Sequence, residues 1–244
     1  MYNEFSKIYN KLVYDIDYDF YVNLIKAEID KNKIIPKNIL ELGIGTGNLT
    51  ERLEFKVDSY FGVDLSQEML EIASNKLKYK ENLTLINLDI ADFKIENKFN
   101  VAISTLDTIN YILDSSRLEE AFRNIYNSLV QKSILIFDIN SENKLRKVLG
   151  DNCYVYEYGN IFYSWQSFLD KEAEIVDFVL DFFIEENGIY KRITEEQSEK
   201  IYSVEYINKL LIDVGFKEIS YKDFDTGRDV DENSQRILFT ALKE

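Results

Sequence analysis

The sequence predicts an α/β fold built on a mostly parallel sheet, and three patterns predict it. Apolar runs of strand length alternate with stretches of helical spacing from Asn38 to Asn140. Three closely spaced glycines, Gly43, Gly45 and Gly47, end the first of these runs. The second run, Ser59-Tyr60-Phe61-Gly62-Val63-Asp64, ends in an acid. Regular alternation places helices on both faces of a parallel sheet.

Taken in order, the chain should open with two helices, Phe5 to Asp15 and Asp19 to Asn32. Phe5, Ile8, Tyr9 and Leu12 share one face of the first, and Phe20, Leu24 and Ala27 step along the second. The sole proline, Pro36, precedes the first strand. Strands are predicted near 38–42, 58–63, 83–88, 99–104 and 133–138, and helices near 47–54, 66–79 and 115–130, with Ser66 as the N-cap of the second of these helices.

From 152 to 200 the pattern changes. Tyr154, Tyr156 and Tyr158 fall on alternate positions, as do Ile161, Tyr163, Trp165, Ser167 and Leu169. This is the period of a strand. Gly159-Asn160 and Asn187-Gly188 separate such runs and carry hairpin chemistry, because both residue types tolerate positive φ. An antiparallel sheet of about four strands, inserted after the fifth parallel strand, is therefore expected. Eleven of the 34 aromatic residues lie between Tyr154 and Tyr190, which suits either a packed sheet face or a surface on which a substrate stacks. Ser203 to Val214 then reads as a helix stopped by Gly215, and strands near 216–224 and 234–242 bring the main sheet to seven. Residues 1–150 and 201–244 are thus read as one domain and 151–200 as its insert.

Composition narrows the function. The 244 residues are 45% hydrophobic, enough for a substantial core. A net charge of -15 argues against a broad nucleic-acid surface, since phosphate backbones are bound by clustered Lys and Arg. No apolar run approaches the length of a membrane span, no secretory signal is visible, and Cys153 has no second cysteine to pair with; cytoplasmic residence is expected. There is no histidine, so acid-base work falls to Asp, Glu, Tyr, Lys or Cys, and His-dependent metal sites and triads are excluded.

The run Glu41-Leu42-Gly43-Ile44-Gly45-Thr46-Gly47-Asn48 reads as a nucleotide-type cofactor site, because glycines let the backbone turn sharply and approach a ligand. A dinucleotide fingerprint would need a third glycine at position 48, which is Asn. Glu41 would repel a pyrophosphate yet attract an ammonium group, such as the one S-adenosylmethionine carries beside its sulfonium. Asp64, 17 residues after Gly47, suits ribose hydroxyls in either cofactor class. After the third strand, Asp89 and Ile90 are placed to bond an adenine amino group and cover its ring.

On the segments ELGIGTGNLT, YFGVDLSQEML, LINLDIADF, FNVAISTLDTINYI and SILIFDIN, the chain resembles the class I S-adenosylmethionine-dependent methyltransferases over roughly residues 37 to 140. Its finer pattern is similar to bacterial small-molecule enzymes, including amino-sugar N-methyltransferases. The resemblance implies a Rossmann-like seven-stranded sheet with its last strand antiparallel, and S-adenosyl-L-methionine held by Glu41, Gly43, Gly45, Gly47, Asp64, Leu65, Asp89, Ile90 and Thr105. It also implies in-line methyl transfer to a nitrogen or oxygen of a small molecule, with Asp107, Tyr9 and Tyr111 as catalytic residues on the acceptor side and the insert as a substrate cap. Relatives usually turn with Pro-Gly-Gly before the fifth strand, where this chain has Val130-Gln131-Lys132-Ser133.

Plainer explanations stand beside these. The glycines also suit an ordinary strand-to-helix loop, Asp64 and Asp89 a helix start, and Asp107, Asn110 and Tyr111 a capped turn. A protein or RNA acceptor, a regulator that binds the cofactor without catalysis, and a nicotinamide-dependent oxidoreductase are the alternative functions; Asn48 and Glu41 speak against the last. Oligomeric state and acceptor identity are not encoded in any motif.

Overall fold

The computed structural model describes residues 9–10, 13, 16–95 and 98–244. The first expected helix, Phe5 to Asp15, thus lies mostly outside the described residues, with Tyr9 and Asn10 in helical conformation. The second is α1, Tyr18–Lys31, whose start is capped by Asp17 accepting from the Phe20 amide at 2.9 Å.

The alternating segment follows the predicted order: β1 (Asn38–Leu42), α2 (Asn48–Arg52), β2 (Ser59–Asp64), α3 (Gln67–Lys76), β3 (Leu83–Asn87), β4 (Phe99–Ser104), α4 (Ser115–Ser128) and β5 (Leu129–Asn140). Ser66 caps α3 through the Met69 amide at 3.2 Å. One boundary differs from expectation. The fifth strand begins at Leu129, and the stretch Val130 to Ser133 is absorbed as a register irregularity between the pairs Phe99–Leu129 and Val101–Ile134, with Lys132 at φ 59°. Leu129 is fully buried against the core, so packing recruits the end of the expected helix into the strand.

A π-helical segment, Lys144–Leu149, follows β5 and leads into the insert: β6 (Cys153–Tyr158), β7 (Ile161–Asp170), β8 (Ile175–Glu186) and β9 (Ile189–Lys200). These four form one antiparallel sheet in chain order. At the β8–β9 turn both Asn187 and Gly188 have positive φ, whereas at the β6–β7 turn only Gly159 does. The chain closes with α5 (Val204–Val214), β10 (Lys217–Asp223) and β11 (Arg236–Lys243).

The main sheet has the order β10-β11-β5-β4-β1-β2-β3, and only β11 runs against the others. Two apolar cores cover its faces. On one side Leu40, Leu42, Phe122, Phe137 and Phe239 pack under α4 and α5, and Phe137 stacks on Phe239 with ring centroids 5.0 Å apart. On the other, Ile39, Ile103, Ile136 and Leu238 pack against Val22, Ile25 and Ile29 of α1. Full burial of such a side chain contributes about 1.5–3 kcal/mol. The inward face of the insert forms a third core, where Phe178, Phe182 and Ile184 meet Leu145, Leu149 and Met69.

This topology fixes where a ligand can bind. The chain steps outward from β1 to β3, then crosses back to lay β4 on the other side of β1. The loops after β1 and β4 therefore diverge, and an open crevice is left at their carboxyl ends.

Candidate active site

A cavity of about 430 Å³ fills that crevice. Its walls include Glu41, Gly43, Gly45, Asp64, Leu65, Asp89, Ile90 and Thr105, together with Tyr9 and Tyr111. Gly47 and Asp107 are not among the lining residues.

The strand period explains Glu41. It shares a face of β1 with Ile39, under α1 and α2, and is only 2% exposed. Thr50 of α2 and Tyr60 of β2 both donate hydroxyl hydrogen bonds to its Oε2. Burial raises its pKa to about 7, against the lowering pull of those two bonds. Glu41 is thus a buried carboxyl on the wall of a cavity, with no cationic side chain bonded to it among the described residues, Lys80 acting on it only through its field. That arrangement favours an ammonium group over an anion.

The glycine loop is shaped by its backbone. Gly43 has φ 71°, and a Cβ there would lie 2.4 Å from Thr108 Oγ1. Gly45 has φ 55°, and nothing lies within 4 Å of where its Cβ would be. At Gly45 the need for glycine is the left-handed backbone and a cradle open to a ligand. Gly47 serves α2 instead: it is the N-cap in left-handed conformation, and a Cβ there would lie 2.6 Å from Leu77.

Asp64 at the end of β2 accepts from the Gly45 amide at 2.7 Å and the Ser66 amide at 2.9 Å, so it ties the glycine loop to the start of α3. Burial raises its pKa despite those bonds. Asp89 caps the short turn Ile90–Asp92 through the Ala91 amide at 2.8 Å, and its other oxygen pairs with Arg117 at 3.1 Å. It is both a cap and a cavity-lining acid.

Asn48 explains why a third glycine is dispensable here. Its side chain donates to Tyr18 Oη at 3.1 Å and to Asn10 Oδ1 at 3.1 Å, and Lys76 donates to its Oδ1. Asn10 also accepts from Thr46 at 2.7 Å. A polar network thus joins the leading helical residues to the loop where a dinucleotide fold would have close helix–strand packing.

Tyr9 shares a hydrogen bond with Tyr18, and its pKa is raised well above the ordinary tyrosine value, first by burial and then by Tyr18, Asp107 and Asp64. At neutral pH it is a phenol, not a tyrosinate. Asp107 departs from the expected catalytic placement: its carboxylate pairs with Arg236 of β11 at 2.6 Å. Asn110 is fully buried and structural, accepting from the Asn140 amide at 2.9 Å and donating to the Lys200 carbonyl at 3.0 Å. Tyr111 donates to Gln197 Oε1 of β9 at 3.1 Å. Gln197 is the one residue of the insert that lines the cavity among the described residues.

Comparison with known proteins identifies the family. Residues 39–132 match the model of a methyltransferase domain. The crystal structure of an S-adenosylmethionine-dependent methyltransferase from Clostridium acetobutylicum ATCC 824 is 35% identical, with a TM-score of 0.90 over 100% of this chain and 99% of that one. This chain belongs to the S-adenosylmethionine-dependent methyltransferases. The methyltransferase is also 27% identical to YqeM of Bacillus subtilis (strain 168), over 100% of this chain and 97% of that protein, whose description names no acceptor. The sugar N-methyltransferase KedS8 from Streptoalloteichus sp ATCC 53650 shares the fold at 18% identity, with a TM-score of 0.77 over 100% of this chain and 93% of that one. The cofactor of this methyltransferase is therefore S-adenosyl-L-methionine.

Sequence reasoning missed Tyr18, Thr108, Arg117 and Gln197 on the cavity wall. Arg117 lies on α4 and reaches Asp89 and Asp92. Nothing local in the sequence linked it to residue 89.

Proposed function

We propose that the protein transfers the methyl group of S-adenosylmethionine to a nitrogen of a small molecule, with oxygen as the second choice. The observation that carries this reading is the cavity itself: one end is lined by Glu41, the glycine loop, Asp64 and Asp89, and the other by Tyr9, Tyr111 and Gln197. In this reading Glu41 and Thr105 receive the amino-acid end of the cofactor, Asp64 the ribose, and Asp89 with Ile90 the adenine. The cofactor supplies a methyl carbon on a sulfonium, an already reactive leaving group.

What the chain contributes is placement. Well-oriented reactants recover on the order of 7–11 kcal/mol of barrier through proximity. A hydroxyl acceptor would need a base, and the three candidates are poorly suited: Asp107 is held by Arg236, Tyr9 keeps its proton, and Tyr111 gives its hydroxyl hydrogen to Gln197. An amine needs only to arrive neutral, which favours nitrogen. The four-stranded insert of residues 151–200 acts as a cap over the acceptor end, with Gln197 as its contact to the cavity. The net charge of -15 disfavours a nucleic-acid acceptor, and among the described residues no helix is long and apolar enough to cross a membrane. The lone, exposed Cys153 suits a reducing cytoplasm.

The test is transfer of label. Protein is incubated with methyl-labelled S-adenosylmethionine and cell extract separated into small-molecule, protein and RNA pools. Label in a basic small molecule is the expected result. Label confined to protein or RNA overturns the acceptor class, and cofactor binding without label in any pool favours a regulator.

A further inference from the structure

The turn after β4 is held by charges that stand outside the cavity wall. Leu106 and Asp107 are both left-handed, with φ of 57° and 54°, a conformation that residues with side chains adopt at a cost. The amides of both residues bond a single carboxylate. It is that of Asp138, accepting from the Leu106 amide at 2.8 Å and the Asp107 amide at 3.3 Å. Asp138 lies near the end of β5 and is fully buried.

Arg236 completes the arrangement. It opens β11 opposite Asn140, and the antiparallel register sets it on the face that carries Asp138. One arm of its guanidinium donates to Asp138 and the other to Asp107 at 2.6 Å. Burial opposes its charge, but Asp138 and Asp107 outweigh that and raise its pKa further. Tyr21 of α1, Lys144 of the π-helical segment and Glu199 of β9 also act electrostatically on this group of charges.

The turn in turn places Thr108. Its hydroxyl donates to the Thr105 carbonyl at 2.8 Å, and its side chain occupies the space that a Cβ on Gly43 would need. Thr105, Leu106 and Thr108 line the cavity, while the acids and Arg236 that hold them do not. We propose that Arg236, acting through Asp138 and Asp107, is a positioning residue that sets the Thr105–Thr108 turn against the glycine loop and so controls affinity for the amino-acid end of the cofactor. This rests on the assignment of Glu41 and Thr105 to that end and of Asp64 to the ribose.

Calorimetry with two probes tests it: S-adenosylhomocysteine, which has both ends, and adenosine, which lacks the amino-acid end. Arg236→Gln should weaken S-adenosylhomocysteine about tenfold and leave adenosine within twofold. Arg236→Lys, which keeps the charge but loses the fork, should recover part of the loss. Asp107→Asn, which leaves the Arg236–Asp138 pair in place, should weaken S-adenosylhomocysteine about threefold and serves if Arg236→Gln does not fold. Equal weakening of both probes marks Arg236 as merely structural and overturns the proposal, as does unchanged S-adenosylhomocysteine binding in Asp107→Asn and Arg236→Lys. Glu41→Gln separates the two readings: if it weakens adenosine as strongly as S-adenosylhomocysteine, the assignment of ends is wrong, whatever Arg236 does.

Discussion

At the glycine-loop end the cavity wall is drawn from short runs that follow parallel strands, within Glu41 to Leu49, Asp64 to Met69, Leu88 to Ile90 and Thr105 to Thr108, whereas the end beneath the insert includes Tyr9, Tyr111 and Gln197 from three distant segments. The first wall is made largely of backbone: left-handed glycines, amides on Asp64, and one acid whose position follows from strand alternation. The second is made of side chains from segments far apart in sequence, and the bond between Tyr111 and Gln197 forms only because the insert folds back. A wall fixed by local backbone geometry is conserved in shape wherever the strand–loop–helix unit forms. A wall assembled from remote side chains can change its acceptor without disturbing the cofactor.

Substitutions should separate the two walls. The largest effect is expected for Asp64→Ala, which removes acceptors of two backbone amides as well as the proposed ribose contact; charge-assisted hydrogen bonds contribute roughly 1.5–3 kcal/mol each. Calorimetry should show S-adenosylmethionine affinity lower by at least about tenfold. Unchanged binding in a folded variant would refute the ribose assignment.

A similar but pH-dependent effect is expected at Glu41. Burial raises its carboxyl from the ordinary 4.5 to about 7, so between these values the folded chain holds a proton that the unfolded chain has released. Rising pH therefore erodes the stability contributed by this group while it creates the carboxylate that an ammonium needs. Cofactor affinity should rise about tenfold from pH 6 to pH 8, by the change in ionised fraction alone. Glu41→Gln should bind weakly and without that slope, and should lose less stability than the parent between about pH 4.5 and pH 7, with the titration of Glu199 and Glu195 left in both. A slope that persists in the variant would assign the titration to another group.

Tyr111→Phe probes the other wall. Removing the hydroxyl that bonds Gln197 should change cofactor affinity less than about twofold, since a bond between two partly exposed polar groups contributes about 0.5–1.5 kcal/mol and lies away from the glycine loop. Its effect should fall on acceptor KM. A tenfold loss of cofactor affinity would collapse the distinction between the walls. The smallest functional effect is expected for Gly188→Ala in the β8–β9 hairpin, where φ is 78°: about 1 kcal/mol of stability, read by thermal unfolding, with cofactor binding unchanged.

The strands and their order were legible from Asn38 onward because apolar period and turn chemistry are local. The insert was legible for the same reason, through alternate tyrosines and two Gly/Asn turns. The start of β5 was not, since Leu129 joins a strand only by packing into a core built from distant elements. Asp107 shows the limit at the site. Its place after β4 suggested a base, and nothing near it in sequence announced that Arg236, 129 residues away, would claim the carboxylate.

By itself the sequence determined the wall proposed for the cofactor: the acid at Glu41, the glycine turn, Asp64 and the alternation that brings them to the carboxyl ends of neighbouring strands. These depend on steric limits and strand periodicity, which act over a few residues. Only the tertiary structure decided which polar groups are free to act at the acceptor end. Burial and ion pairing are properties of neighbours in space, and the fold that places Arg236 on Asp107 and Gln197 on Tyr111 is the only thing that makes them neighbours.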